Sequence, residues 1–168
     1  MTLELWDILD ENGNKTGKTI ERGKPTKKGE YNLVVHVWIQ NSEGEYLIQK
    51  RAANKTYSLL WAATGGHAIT GDDSLRAALR EVKEELGLDL SPDNGVRLFR
   101  IKRDYFDNPD FLDVWLFKEN VDINSLTFHP DEVCGAMWAK SEDILTMIDE
   151  GLFVKEYTYL NELFQTNN

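Results

Sequence analysis

Residues 65 to 88 constrain the chain more than any other stretch. They run Gly65-Gly66, five residues from His67 to Gly71, Asp72-Asp73, and then Arg80-Glu81-Val82-Lys83-Glu84-Glu85-Leu86-Gly87-Leu88. Leu75, Ala78, Leu79, Val82 and Leu86 recur at spacings of three and four, which predicts a helix with one face built for a core. Asp72 or Asp73 can cap its first turn, Gly87 supplies a left-handed stop, and Leu88 can fold back onto Val82. The predicted helix is roughly 13 residues long.

The opposite face is acidic. At about 100° per residue, Glu81, Glu84 and Glu85 point into one arc of the helix surface. Glu81 and Glu85 are like charges one turn apart, and Arg80 is spaced to pair with Glu84. Hard oxygen donors on a rigid helix suit Mg²⁺ or Mn²⁺ when phosphate oxygens complete the shell. The plainer reading of the same residues is a solvated acidic face.

The surrounding residues favour the metal reading. Gly66, Asp72, Arg80-Glu81-Val82, Glu84-Glu85 and Gly87-Leu88 together resemble the Nudix box, with Asp72 replacing the family's glutamate. The resemblance implies an α/β/α sandwich around a central mixed sheet. It also implies hydrolysis of a diphosphate linkage, in a nucleoside or other organic diphosphate, with Mg²⁺ or Mn²⁺ and an activated water. Glu81, Glu84 and Glu85 would then be metal ligands, joined by a backbone carbonyl at Gly65, and Arg80 would orient them. Glu132, or its neighbour Asp131, is the loop candidate for the general base. Asp72 is one methylene shorter than the family's residue. It is therefore expected to act mainly as a helix cap, its reach too short for a direct ion pair with Arg80.

Composition sets the limits. A chain of 168 residues with 41% hydrophobic content suits one domain spanning 1–168, with a hairpin extension over 1–30 and a core over 31–165. A net charge of −10 argues against a nucleic-acid backbone or an anionic membrane as partner. It also requires local cations wherever a phosphate is to bind. Cys134 is the sole cysteine, which excludes an internal disulfide and fits a reducing compartment; it is expected to be an apolar filler beside Trp138. No apolar run has the length of a signal-peptide core or a membrane span, so the expected location is the cytoplasm, as a monomer or homodimer.

Along the chain, Leu3 to Leu9 reads as a strand returned by the turn formers of residues 10–17. A loop over residues 22–30 carries four cations. Leu33 to Ile39 is a nearly continuous apolar strand, in which His36 reads as a satisfied core histidine, and Tyr46 to Gln49 follows it. Lys50, Arg51 and Lys55 form a basic group close to the box, with Arg51 and Lys55 suited to phosphate oxygens. Strands are predicted over 96–105, 111–117 and 135–139. A helix from Ser141 should bury Ile144, Leu145 and Ile148, and a last helix should run from Val154 to Phe164.

Beyond the box, Trp6-Asp7, the run Asn32 to Asn41, Gln49-Lys50-Arg51 and Gly65-Gly66-His67 resemble Nudix proteins similar to type 1 isopentenyl-diphosphate isomerase. That raises isomerisation of a C5 diphosphate as an alternative. The isomerase pattern needs a cysteine where Gly65 stands, a histidine where Asn32 stands, and a glutamate pair where the chain offers Phe111 and Asp113. His67 alone is retained and is assigned to substrate binding, so hydrolysis is the better reading. A third alternative is a binding module of the same fold without catalysis; the retained box carboxylates argue against it.

Overall fold

The computed structural model describes residues 2–105 and 107–167; Met1, Phe106 and Asn168, which the single-domain expectation spans, lie outside the described residues. The chain opens with an antiparallel hairpin, β1 (Leu5–Leu9) and β2 (Lys15–Glu21), paired Leu5 to Glu21 and Trp6 to Ile20. Gly13 and Gly17 take left-handed φ values of 80° and 84° in and beside its turn, which β-carbon-bearing residues adopt at a cost.

The central sheet is built around β3 (Asn32–Gln40). It runs parallel to β8 (Asp110–Lys118) along its whole length and antiparallel to β6 (Thr64–His67) on its other edge. At its end β3 turns into β4 (Tyr46–Arg51), which pairs with β5 (Trp61–Ala62) and β9 (Val133–Ala139); β7 (Gly95–Arg103) completes the sheet beyond β8. One parallel pairing among antiparallel ones makes the sheet mixed.

The alternation of β3 then builds two cores. Leu33, Val35, Val37 and Ile39 face α1 (Ser74–Leu86), packing on Ala77, Ala78, Val82 and Leu86. Val34 and Trp38 face the opposite way, onto α2 (Ser141–Asp149), α3 (Leu160–Asn167) and Phe153. A strand covered on both faces has to be apolar at successive positions, and this one is. Helices on both sides of a mixed sheet give the α/β/α sandwich.

Three local expectations are corrected. The last helix begins at Leu160 rather than Val154; the stretch before it is largely turn, though Val154 is buried and Tyr159 belongs to the same core as the helix. Leu145 is exposed, because α2 covers the sheet with Ile144. Cys134 is also exposed, its Sγ 3.4 Å from the Arg51 carbonyl oxygen, since β9 turns that position outward.

Candidate active site

α1 is fixed at both ends by its own sequence. Asp73, extended at φ −89° and ψ 176°, accepts a hydrogen bond from Arg76 N at 2.8 Å, so Asp73 is the N-cap. Gly87 closes the helix at φ 67° and donates its N–H to the Lys83 carbonyl. Asp72, released from capping, does what its shortened side chain was expected to prevent: its Oδ2 accepts directly from Arg80 Nε at 3.0 Å. The loop over 68–73 folds back far enough to make up the missing methylene.

Arg80 is the hub of the site. Besides Asp72, it donates to Glu81 Oε1 at 3.0 Å, to Glu84 Oε2 at 3.2 Å and to the His67 carbonyl at 3.0 Å. One guanidinium therefore ties the box loop, the end of β6 and the acidic face of α1 together, a use for which its planar fork is suited.

The acidic face is not a solvated one. Glu81 and Glu85 are buried at 9% and 7% exposure, whereas the Glu84 side chain is 55% exposed. Burial raises the Glu81 carboxyl to about 7 and the Glu85 carboxyl to about 8, with the negative charge of Glu81 adding to the second shift. Gln49 Nε2 donates to Glu85 Oε2 at 2.6 Å, and Thr64 Oγ1 donates to Gln49 Oε1 at 2.9 Å. Two crowded, desolvated carboxyls on a helix are short of positive charge.

The two glycines before the helix each make room for a neighbour, Gly66 for the Glu81 carboxylate and Gly65 for β3. A β-carbon at Gly66 would lie 2.5 Å from the Glu81 carboxyl, so only glycine leaves the acid its position. A β-carbon at Gly65 would lie 2.4 Å from the Val35 carbonyl oxygen of the neighbouring strand. No larger side chain, a thiol included, fits at 65 without moving β6 from β3.

These residues line one cleft of about 620 Å³. It holds Gly65, His67, Arg80, Glu81, Glu84, Glu85, Glu132, Arg51 and Lys55, whereas Asp131, the alternative base, and Lys50 of the basic group do not line it. Lys55 Nζ meets Glu132 Oε2 at 2.6 Å, and Glu132 is close enough to Glu81 and Glu85 to raise both. Arg51 Nε donates to the Thr56 carbonyl at 2.6 Å and helps to shape the loop after β4. Of the four cations in residues 22–30, Arg22 alone lines the cleft.

The cleft also contains residues that no sequence signal marked. Glu4, Arg103, His129, Tyr57, Glu156 and Tyr157 line it, and Tyr57 donates to Glu156 across its mouth. Arg103 makes a buried two-point pair with Asp110 at 2.6 and 2.7 Å. His36 lines the cleft yet is also satisfied, its Nδ1 2.7 Å from the Tyr159 hydroxyl, which accepts from Trp38 Nε1 at 3.0 Å. Burial lowers His36 to about 3 and His67 to about 4, so both are neutral at pH 7.

Among the described residues, no three His, Cys, Asp or Glu side chains gather closely enough to hold a metal ion unaided. Glu84 is drawn to Arg80 and Glu132 to Lys55. The donors still fit a hard cation of the Mg²⁺ type. Such an ion takes one or two protein carboxylates and completes its shell with water and substrate phosphate.

A family model for the NUDIX domain matches residues 30–158. The chain belongs to the Nudix family. An uncharacterized Nudix hydrolase of Listeria monocytogenes is 38% identical to it, over 99% of this chain and 96% of that one. An isopentenyl-diphosphate Delta-isomerase of Pectobacterium atrosepticum is 39% identical over 83 residues, 48% of this chain and 46% of that one, in keeping with the resemblance to the isomerase-like branch. A crystal structure of a Deinococcus radiodurans protein shares the fold with a TM-score of 0.75 at 23% identity, covering 98% of this chain and 99% of that one. Among the described residues no helix is long and apolar enough to cross a membrane.

Proposed function

We propose that this Nudix hydrolase cleaves the diphosphate linkage of a small organic diphosphate in a reaction dependent on Mg²⁺ or Mn²⁺. The observation that carries the reading is the pair of buried carboxyls, Glu81 and Glu85, raised by desolvation and facing a cleft that also contains Arg51 and Lys55. In this reading Glu81 and Glu85 hold the cation, with Glu84 and the Gly65 carbonyl able to join them. When bound, the cation would stabilise charge on the phosphorus oxygens and lower the pKa of the attacking water. Arg80 keeps the carboxylates in register through its four contacts. Lys55 and Arg51 receive the phosphate oxygens that the cation does not take. Glu132 is the candidate base, held by Lys55 within the cleft. Residues 5–21 form a hairpin ahead of the core, and the whole chain works as one domain in the cytoplasm.

Isomerisation is disfavoured on geometry. The position at which a thiol would have to exchange a proton with substrate carbon is Gly65, where a β-carbon meets the Val35 carbonyl at 2.4 Å.

The test is a panel of nucleoside diphosphates and triphosphates, nucleotide sugars, dinucleoside polyphosphates, ADP-ribose and isoprenoid diphosphates, assayed with Mg²⁺, with Mn²⁺ and with chelator. Metal-dependent release of a monophosphate from at least one member is expected. Release that continues in excess chelator, or none from any member, contradicts the proposal.

A further inference from the structure

The N-terminal hairpin lies outside residues 30–158, yet residues at its edges form part of the cleft wall. Glu4 and Arg22 flank β1 and β2 and both line the cleft. Arg22 N donates to the Glu4 carbonyl at 3.0 Å, which fixes the two residues side by side. Glu4 Oε1 accepts from Trp6 Nε1 at 2.8 Å, and the Trp6 ring lies flat on His67, centroids 3.8 Å apart and planes 2° from parallel.

The hairpin is docked against the box loop. Thr70 N donates to the Leu5 carbonyl at 2.8 Å, and Gly71 N donates to Asp7 Oδ2 at 3.1 Å. Lys15 Nζ bridges Asp7 and the Asp72 carbonyl, at 2.8 Å to each. Asp72 also holds Arg80. The hairpin is thereby held in register with the acidic face of α1.

Between their side chains the contact is a single one of 3.3 Å, with Glu4 37% and Arg22 60% exposed. A pair so open adds little to stability. It does place a carboxylate acceptor next to a guanidinium that has further N–H donors to offer.

We propose that Glu4 and Arg22 are specificity-determining residues that read the non-phosphate group of the substrate. They favour a planar heterocycle presenting a hydrogen-bond donor beside an acceptor over an aliphatic or absent group. Glu4 accepts from the ligand's N–H and Arg22 donates to its carbonyl or ring nitrogen, with His67 held beside them by Trp6. A site built to pair such an edge rejects ligands that leave its polar groups unmatched. The inference rests on the hydrolase reading for the position of the phosphates, and its test does not require turnover.

The test is calorimetric binding, with Mg²⁺ present, of α,β-methylene analogues of adenosine, guanosine, cytidine and uridine diphosphates, against methylenediphosphonate, which carries no base. The wild-type protein is expected to bind its best nucleoside analogue at least about tenfold more tightly than methylenediphosphonate. Glu4→Gln and Arg22→Gln should each cut that ratio at least about fivefold and leave the affinity for methylenediphosphonate unchanged. The bare diphosphonate also reports on the integrity of the fold. Equal weakening of both ligands, an unchanged ratio in both variants, or no preference in the wild type overturns the proposal. Tight discrimination without hydrolysis of any diphosphate would instead remove the hydrolase reading and leave this one standing.

Discussion

Two adjacent aspartates are predicted to fail in different ways. Asp73 caps α1 through a single bond to Arg76 N and touches nothing in the cleft. Asp73→Ala should therefore cost about 1 kcal/mol of stability, a fall in Tm of roughly 2–4 °C for a chain of this size, and leave kcat/KM within twofold. Asp72 accepts from Arg80 where the two side chains are only 13% and 21% exposed. Removing it strips a charge-assisted hydrogen bond from a half-buried guanidinium that keeps three other partners, a loss of about 1–2 kcal/mol. The guanidinium would then turn further toward Glu81 and Glu84 and compete with a cation for their oxygens. Asp72→Ala should thus also lower kcat/KM at least about tenfold, equivalent to about 1.4 kcal/mol. Asp72→Asn, which retains an acceptor, should fall between, and Asp72→Glu should stay within a few fold of wild type. Melting curves and steady-state rates on one diphosphate substrate separate the cases. If Asp72→Ala turns over normally, or Asp73→Ala is the variant that loses activity, the assignment of Arg80 as the organising residue is wrong.

The other predictions concern pH and the competing chemistry. Glu81 and Glu85 have folded pKa values of about 7 and about 8, above the ordinary 4.5, so their contribution to stability is fully present below pH 4.5 and is lost as pH rises through 7 and 8. His36 and His67, lowered to about 3 and about 4, act oppositely: their contribution is present above pH 6.5 and is lost as pH falls toward 4 and 3. Metal-free protein should then be most stable near pH 6, and Mg²⁺ should raise Tm more at pH 8.5 than at pH 5.5; a metal-induced shift independent of pH would contradict the burial of these acids. Glu85→Gln should flatten the alkaline decline. Purified protein should form no dimethylallyl diphosphate from isopentenyl diphosphate, and its appearance above a Glu84→Gln control by ³¹P NMR would refute the argument from Gly65.

How much of this was readable in advance depends on range. α1 could be read to its ends because its periodicity, cap and glycine stop are all local. The two cores followed from the nearly continuous apolar run of β3, interrupted at His36, since a strand apolar on both faces has to be covered twice. The choice between Asp72 and Asp73 was not readable: both are aspartate, and the decision is made by the backbone angles of the loop. Neither was the burial of Glu81 and Glu85, because a helical pattern gives the direction of a side chain but not what is packed over it. β5 is two residues long and β6 holds two glycines, too little for any periodicity to register. Glu4 and Arg22 reach the cleft through a hairpin docked on a loop far away in sequence, which no local signal encodes.

In the proposed reaction the buried carboxyls of α1 turn a divalent cation to the cleavage of a diphosphate. The most direct test is the rate on the best panel substrate as a function of Mg²⁺ concentration, for wild type and for Glu85→Gln. Saturable activation is expected in the wild type, with no turnover without metal, and in the variant both a higher half-saturating Mg²⁺ concentration and a rate at least about tenfold lower, with the fold intact. A variant with the wild-type rate and the wild-type Mg²⁺ dependence would contradict it.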